Sequence, residues 1–456
     1  MSKAGIMFRK IVNASVRVVQ RYLPEPFIFA LLLTFISFAV AIPVCRQTPL
    51  EVLTNWGNGV WGLLAFSMQM ALVLVCGSTL ADAPTIKKGL DKLASMPKKP
   101  VGAIALVSLV SALACWINWG FGLIIGVVFA KSIARKMRGV DYRLLIASAY
   151  SGFVVWHGGI SGSIPLALAT PGAALSTVTM GVVTEPIAIS NTILSIYNLA
   201  ISGLVIISLV VVNSLMHPKG KEVVEVDPKL LEEEEDERSF KPSTPAEKTE
   251  NSMVISIIIS LMGFAFLIMK LFVRGESLDL NSVIMLFLFL GILFHKTPIA
   301  YVKSLNKAAV GSAGILLQFP FYAGIMGIMT GTSVEGISLA GEISHLCVSI
   351  SNEHTFPLLT FLSAGLVNIF VPSGGGQWAV QGPIMMPAGA TLGVAPAITG
   401  MAIAWGDAWT NLIQPFWAIP ALAIAKLGAR DIMGYCLINL LISGIIISLG
   451  LLLWAL

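Results

Sequence analysis

Long apolar runs recur along this chain from Leu23 to Leu456, and they restrict its fold more than any other feature of the sequence. The first of them reads EPFIFALLLTFISFAVAIPV. A run of about 18 or more apolar residues is long enough to cross a membrane as a helix. Of all residues, 56% are hydrophobic and 12% are charged, whereas roughly a quarter of a soluble globular chain is charged. The sequence therefore predicts a multi-spanning membrane protein.

The backbone limits the structures that such spans can adopt. A bilayer core offers no water to the backbone N–H and C=O groups, so only helices and closed barrels cross it. The apolar runs lack the alternation of polar and apolar residues that a membrane barrel needs. The predicted fold class is therefore all-α.

Charge and cysteine usage exclude several functional classes. The net charge of +5 comes from short basic clusters between the apolar runs, where lipid headgroups and insertion rules account for them, so we expect no nucleic-acid partner. The five cysteines are scattered without CxxC or Cys/His ligand spacing, so neither a metal site nor a disulfide framework is predicted. No nucleophile–base cluster is visible, so we expect neither an enzyme nor a bound cofactor.

The first residues set the predicted orientation. Residues 1–22 place Arg9, Lys10, Arg17 and Arg21 among apolar residues, which is typical of an amphipathic helix on the membrane surface. Because basic segments favour the cytoplasm, we expect this helix and the N-terminus at the cytoplasmic face.

The apolar stretch 101–130 is predicted to be a re-entrant hairpin. It lies between two basic loops, Lys87 to Lys99 and Lys131 to Arg143, which should both be cytoplasmic. As one helix it would reach roughly 45 Å, which is longer than a span needs. The sequence INWGFG interrupts it, so we place the hairpin tip between Asn118 and Gly122.

Three further interruptions follow the same logic. Residues 144–182 contain GGISGSIPLALATPG and are predicted to form a broken transmembrane helix. Residues 356–386 contain VPSGGGQW and are predicted to form a second re-entrant hairpin, entering from the opposite face. Residues 396–424 contain GDAWTNLIQPFWAIP and are predicted to form a second broken helix.

The order of these elements predicts an inverted repeat. Residues 23–216 and 274–456 each contain spans, a hairpin and a broken helix in the same order, and a connecting transmembrane helix at 253–273 inverts the second copy. Between them, residues 217–252 carry an acidic run, Glu232 to Glu237, which indicates a solvated cytoplasmic linker rather than a cation site. Inverted repeats with discontinuous helices are the signature of secondary transporters.

The four interruptions also predict the binding site. Irregular backbone at membrane depth is tolerated only where it is buried in protein or lines a watery cavity. Glycine allows close approach of a ligand, helix N-termini suit a carboxylate, and unwound carbonyls suit a cation. The candidate substrate- and ion-binding residues are Asn118, Gly120, Gly122, Ser161, Gly162, Ser163, Thr170, Ser373, Gly374, Gly375, Gly376, Asp407, Thr410, Asn411 and Gln414.

Two titratable residues adjoin the breaks. Asp407 is the only acidic residue that we place near the midplane, so it is expected to coordinate a cation such as Na⁺ or to carry a proton. The alternative is a structural cap nearer the interface. We interpret His157 as a hydrogen-bonded structural residue, with a proton relay as the alternative.

At these motifs the chain resembles the bacterial short-chain fatty acid transporter family, of the acetoacetate/butyrate uptake type. The motifs that carry the resemblance include RYLPEPFIFALLLT, NWGFGL, GGISGSIPLALATPG, VPSGGGQW and QPFWAIPALAIA, and the resemblance runs nearly end to end. It implies import of short monocarboxylates across the cytoplasmic (inner) membrane. The chain is also similar in plan to the ion-transporter superfamily, which implies a homodimeric elevator in lipid whose hairpins and broken helices move against the other spans.

The predicted function is therefore a secondary active transporter of short-chain fatty acids, coupled to H⁺ or Na⁺. One alternative is a transporter of another small carboxylate, either a hydroxy acid or a dicarboxylate. A dicarboxylate is disfavoured because no arginine at the breaks could hold a second carboxylate. The other alternative is a passive anion channel, since inverted half-helices also occur in pores.

Overall fold

The computed structural model describes residues 3–227, 243–276 and 280–455, so the acidic run at 232–237 lies outside the described residues. The described residues are mainly α-helical and contain no β-strand. The helices of the first half are α1 (Lys3–Tyr22), α2 (Pro26–Cys45), α3 (Pro49–Gly59), α4 (Leu64–Asp82), α5 (Pro84–Ala94), α6 (Pro100–Ile117), α7 (Trp119–Lys136), α8 (Tyr142–Ser151), α9 (Ser163–Ala169), α10 (Ala173–Val178) and α11 (Ile196–Met216). The helices that follow are α12 (Pro245–Glu250), α13 (Met253–Ile268), α14 (Leu280–His295), α15 (Pro298–Ala309), α16 (Ala313–Thr330), α17 (Leu339–Ser349), α18 (Phe356–Phe370), α19 (Gly374–Thr391), α20 (Pro396–Thr410), α21 (Pro415–Ala425) and α22 (Ala429–Trp454).

Several of these helices could cross a membrane. By length and composition, the described residues contain six such helices, or seven if a bent pair counts as one span. The six are Pro26–Cys45, Pro100–Ile117, Ile196–Met216, Met253–Val273, Pro298–Thr330 and Ala429–Trp454. The bent pair joins Ser67–Asp82 to Pro84–Ala94 at an angle of 79°. The predicted all-α, multi-spanning membrane fold is confirmed.

Other apolar helices are too short to cross a membrane alone. They are Tyr142–Val155, Asn281–His295, Phe356–Phe370 and Pro415–Ala425. Phe356–Phe370 has 15 residues and is therefore roughly 22 Å long, against a hydrocarbon core of about 30 Å. Three of the four helices belong to the segments whose sequences predict an interruption.

Helices α6 and α7 form an antiparallel hairpin with a one-residue tip. A Cβ at Gly122 of α7 would overlap the backbone of Cys115, and a Cβ one turn later, at Gly126, would lie 2.5 Å from Oγ of Ser111. A residue further along α7 therefore contacts a residue earlier in α6, as expected for two antiparallel helices. Asn118 at the tip is extended, and its side chain accepts a hydrogen bond from the first turn of α7.

Helices α18 and α19 form a second antiparallel hairpin, joined by residues 371–373. Nε2 of Gln377 donates to the backbone oxygen of Ala364 at 2.8 Å, while a Cβ at Gly389 would lie 2.9 Å from the ring of Phe356. Ser373 at this tip accepts a hydrogen bond from the first turn of α19. The route of either hairpin through a bilayer stays a prediction.

Two helices are broken near the hairpins. Helix α8 continues as a 3₁₀ turn over Gly152–Val155 and then breaks at residues 156–162, here called the first break, before α9. Helix α20 gives way at residues 411–414, the second break, before α21. Small residues let each broken helix cross its hairpin closely: a Cβ at Gly152 would lie 2.6 Å from the Ala112 nitrogen, and one at Gly406 would lie 2.5 Å from Ala364 Cβ.

Helices also occur in the segments around the longer spans. Helix α3 begins with a capping box between Thr48 and Glu51. Helix α5 covers much of the basic segment from Lys87 that was expected to be a loop, and α15 leads into α16 within the candidate span Pro298–Thr330. Each of these helices has buried apolar residues, among them Val52, Leu90 and Tyr301. Helix α1 occupies the predicted amphipathic segment and docks on α22, where Ser15 Oγ donates to the backbone oxygen of Gly434 at 2.7 Å.

We expect Gly122→Ala to lower the midpoint of thermal unfolding, because the added Cβ meets the backbone of Cys115 and overpacking costs about 1–3 kcal/mol. The matched control is Gly203→Ala in α11, where nothing lies within 4 Å of the added Cβ. Alanine favours a helix over glycine by about 1 kcal/mol, so the control should equal or exceed the wild type. Tryptophan fluorescence of the detergent-purified proteins measures the midpoints. An unchanged midpoint for Gly122→Ala would contradict the close packing of the two hairpin arms.

Candidate functional site

The tip of the first hairpin contacts both broken helices. Ser161 Oγ, in the first break, accepts a hydrogen bond from the backbone N–H of Trp119 at 2.9 Å. The ring of Trp119 lies 5.9 Å from the ring of Trp156 in the same break. It also lies 5.4 Å from the ring of Trp417, in the first turn of α21 after the second break. This hairpin therefore ends between the two broken helices.

The tip of the second hairpin contacts both breaks as well. A Cβ at Gly374, the first residue of α19, would lie 2.7 Å from Nε2 of His157 in the first break. Nε2 of Gln414, in the second break, donates to the backbone oxygen of Ile369 at 2.7 Å. The structure thus places the end of each hairpin against both broken helices.

A buried asparagine joins the second hairpin to the second broken helix. Nδ2 of Asn368, in α18, lies 2.8 Å from the backbone oxygen of Asp407 and 2.9 Å from Oγ1 of Thr410. The same nitrogen lies 2.7 Å from Oδ1 of Asn411. Tyr150, from the first broken helix, donates its hydroxyl to the backbone oxygen of Asn411 at 2.5 Å. This network fixes the end of α20 between a hairpin arm and the opposite broken helix.

Asp407 lies inside this network and is fully buried. Its Oδ1 accepts a weak hydrogen bond from Nδ2 of Asn411 at 3.4 Å and lies 3.5 Å from Nδ1 of His157. Its Oδ2 is buried without a hydrogen-bond partner. A buried carboxyl group with an unpartnered oxygen is costly, which favours a ligand or proton at this position.

His157 is the second titratable residue of the site. Its Nδ1 lies 2.9 Å from the backbone oxygen of Ala404, which agrees with the interpretation of a hydrogen-bonded structural histidine. That interpretation does not account for Nε2 of His157, which is buried without a hydrogen-bond partner and faces Gly374. The structure therefore places the His157 ring at the second hairpin tip, beside Asp407.

Most of the predicted site residues lie at the tips and breaks or directly beside them. These are Asn118, Gly120, Ser161, Gly162, Ser163, Ser373, Gly374, Gly375, Gly376, Asp407, Thr410, Asn411 and Gln414. Two others lie apart. Gly122 packs between the arms of the first hairpin. Thr170 is exposed at the far end of α9, where its hydroxyl donates to the backbone oxygen of Leu166.

Sequence reasoning missed two buried polar residues on the second hairpin. Asn368 is the one polar residue in the stretch GLVNIF before the tip. A single polar residue in an apolar segment indicates a buried polar partner, and this was the sign that the sequence offered. Gln377 follows the tip, and its Oε1 is buried without a partner. Asn368 lies outside the interruptions, and Gln377, although it lies in VPSGGGQW, was not among the residues expected at the site.

Helix N-termini provide the positive potential of the site. Helices α7 and α19 both begin at the tips, and the first-turn N–H groups of a helix have no partner within the helix. In the second hairpin these groups belong to Gly374 and Gly375. No lysine or arginine occurs in the described tips and breaks. The arrangement therefore suits one small anionic group bound by backbone amides.

Comparisons with known proteins identify the family of this chain. The sequence model of the short chain fatty acid transporter family matches residues 7–454. An Escherichia coli (strain K12) protein named "Putative short-chain fatty acid transporter" is 45% identical over 447 residues, which cover 98% of this chain and 99% of that protein. A Haemophilus influenzae protein of the same name is 42% identical over 449 residues, again covering 98% and 99%.

Two solved structures are more distantly similar. The Alcanivorax borkumensis YdaH transporter aligns over 95% of this chain and 98% of its own, at 16% identity and a TM-score of 0.45. Neisseria gonorrhoeae MtrF aligns over 96% of this chain and 97% of its own, at 14% identity and a TM-score of 0.43. The match of the family model and the two close relatives confirm that the chain belongs to the short-chain fatty acid transporter family, whose members are transporters and not enzymes.

Proposed function

We propose that this protein is a secondary active transporter that imports short-chain fatty acids, such as acetoacetate and butyrate, across the cytoplasmic (inner) membrane of a bacterium. Membership of the family supports transport of a small molecule. The main support for this substrate class is that two hairpin tips and two breaks meet around a buried site without lysine or arginine.

The chemistry of the site favours a small monocarboxylate. The free first-turn amides at Gly374 and Gly375 can bind a carboxylate. The rings of Trp119, Trp156 and Trp417 lie beside the tips and can pack against a short apolar tail. A dicarboxylate would leave its second carboxylate without a cationic partner, so it fits less well.

The coupling ion is proposed to be H⁺ or Na⁺, bound near Asp407. Its unpartnered Oδ2 could bind a proton, and the unpartnered Oδ1 of Asn368 adds an oxygen ligand that suits Na⁺. Among the described residues, no group of three or more His, Cys, Asp or Glu side chains could hold a metal ion. A coupling cation would therefore use amide, hydroxyl and carbonyl oxygens beside the single carboxylate.

Two internal similarities support an inverted repeat. The capping residues of the tips have nearly the same backbone, with φ −151° and ψ 119° at Asn118, and φ −152° and ψ 113° at Ser373. In each half a glycine of the broken helix, Gly152 or Gly406, crosses the first arm of the hairpin. These equivalences are those expected when two copies of one unit face each other across the membrane.

An elevator motion of a homodimer is part of the proposal, with the hairpins and broken helices as the moving domain. Helices α11 and α22 would move with them. Nε1 of Trp405 in α20 donates to Oδ1 of Asn198 in α11 at 3.0 Å. Nε1 of Trp409 donates to the backbone oxygen of Leu440 in α22 at 2.7 Å. The remaining spans and the surrounding lipid would form the fixed frame.

Counterflow tests the transport function and separates a carrier from an anion channel. We expect unlabelled acetoacetate inside proteoliposomes to accelerate uptake of labelled acetoacetate from outside, because a loaded site returns faster than an empty one. Butyrate should compete, whereas a dicarboxylate such as succinate should not. Protein-free liposomes correct for passive diffusion of the protonated acid. Uptake that internal substrate does not change would identify a pore and refute the proposal.

Two helical glycines offer a matched pair of variants for the same assay. We expect Gly374→Ala to reduce uptake about tenfold or more, because its Cβ would lie 2.7 Å from Nε2 of His157. That overpacking costs about 1–3 kcal/mol, and 1.4 kcal/mol is a factor of ten. Gly203→Ala in α11, away from the tips and breaks, should retain uptake, because nothing lies within 4 Å of its Cβ. Equal uptake by the two variants would remove Gly374 from the binding site.

A further inference from the structure

Two buried polar atoms at the centre of the site have no partner. They are Nε2 of His157 and Oδ2 of Asp407, and both side chains have 0% exposure. A buried polar atom without a hydrogen bond costs free energy, so it usually marks a missing ligand, water or proton. The two atoms belong to side chains that already lie 3.5 Å apart, from Nδ1 to Oδ1.

The surroundings of His157 fix its tautomer and its orientation. Nδ1 lies 2.9 Å from the backbone oxygen of Ala404, and a carbonyl oxygen can only accept, so Nδ1 carries a hydrogen. In the neutral ring Nε2 then has a lone pair and no hydrogen. The ring stacks on Trp156 with centroids 3.5 Å apart, which holds Nε2 towards Gly374 at the N-terminus of α19.

Asp407 is the one titratable side chain in contact with this imidazole in the described residues. Other groups in contact with the ring include the Trp156 ring, the Ala404 carbonyl and the Gly374 backbone, and none of these three titrates near neutral pH. The tips and breaks provide no lysine or arginine. An anion that binds here must therefore either bring its own positive charge or leave a net negative charge buried, which is costly.

We propose that His157, paired with Asp407, is the proton-carrying residue of this transporter and contacts the substrate directly. The inference rests on the proposed function and makes it more specific. Nε2 takes up one proton as the carboxylate binds, and the resulting imidazolium donates that N–H to a carboxylate oxygen. The amides of Gly374 and Gly375 hold the other oxygen, and Asp407 stabilises the imidazolium by its charge, with Oδ1 3.5 Å from Nδ1. No covalent bond other than N–H forms, and the net charge of the site does not change.

The geometry favours a proton over Na⁺ at this position. The unpartnered atom of His157 that faces Gly374 is a ring nitrogen, which binds protons well, whereas hard cations prefer oxygen ligands. A proton on Nε2 also creates the donor that a carboxylate needs, at a place where the neutral ring can only accept. One titrating donor beside two amides fits one carboxylate, which agrees with a monocarboxylate substrate.

Calorimetry on the full-length protein in detergent tests this inference. Butyrate binding is measured at pH 7 in buffers with different protonation enthalpies, which gives the number of protons taken up per butyrate. We expect about one proton for the wild type. Above the pH at which the His157–Asp407 pair of the free protein loses its proton, the affinity for butyrate should fall about tenfold per pH unit. Free butyrate stays ionised in this range, since simple carboxyl groups titrate near pH 4.

Two substitutions of His157 separate a substrate contact from a structural role. His157→Gln places a donor near the position of Nε2, so it should bind butyrate with no proton uptake and little pH dependence. His157→Asn keeps a donor near Nδ1 for Ala404 but lacks Nε2, so it should lose butyrate binding about tenfold or more. A purely structural histidine would give the reverse order. Thermal unfolding midpoints show whether each variant is folded.

Several results would overturn the inference. Proton uptake by His157→Gln equal to that of the wild type would place the carried proton on another residue. Loss of proton uptake in Asp407→Asn but not in His157→Gln would assign the proton to Asp407. Binding that requires Na⁺ and takes up no proton would make the transporter sodium-coupled. If the wild type binds no monocarboxylate at any pH, the proposed function itself fails, and this inference fails with it.

Discussion

The structure depends on one constraint: inside a lipid bilayer, backbone N–H and C=O groups must find their partners within the protein. Continuous helices meet it automatically, whereas this chain interrupts its apolar segments four times, at the two tips and the two breaks. Each interruption frees backbone groups that need other partners. Asn118 and Ser373 satisfy part of this need locally by capping the helices that start at the tips.

Several of the remaining partners come from other interruptions. Ser161 of the first break accepts from the tip of the first hairpin, and Gln414 of the second break donates to the end of α18 beside the other tip. The side-chain nitrogen of Asn368 lies within 2.9 Å of three oxygen atoms on α20 and the second break. Each hairpin is thus tied to a broken helix, so a change in one is expected to affect the other.

Several unpartnered polar groups lie at or beside the tips and breaks. They belong to His157, Asp407, Asn368 and Gln377, near the free amides of a helix N-terminus and three tryptophan rings. Unpartnered buried polar groups are costly, so their position favours the proposed small ligand with one carboxylate and an accompanying positive charge. Family membership supports transport of a small molecule.

By itself the sequence determined the all-helical membrane fold and the positions of the four interruptions, because long apolar runs and the residues that break them act locally. It also predicted Asp407 as a candidate, because its charge is costly in any apolar segment. Only the tertiary structure decided which polar residues meet. It places Asn368 and Nε2 of His157 beside the tips and breaks, whereas Thr170 lies apart. Those outcomes depend on how the hairpins cross the broken helices, and contacts between residues 39 to 247 positions apart leave no local pattern in the chain.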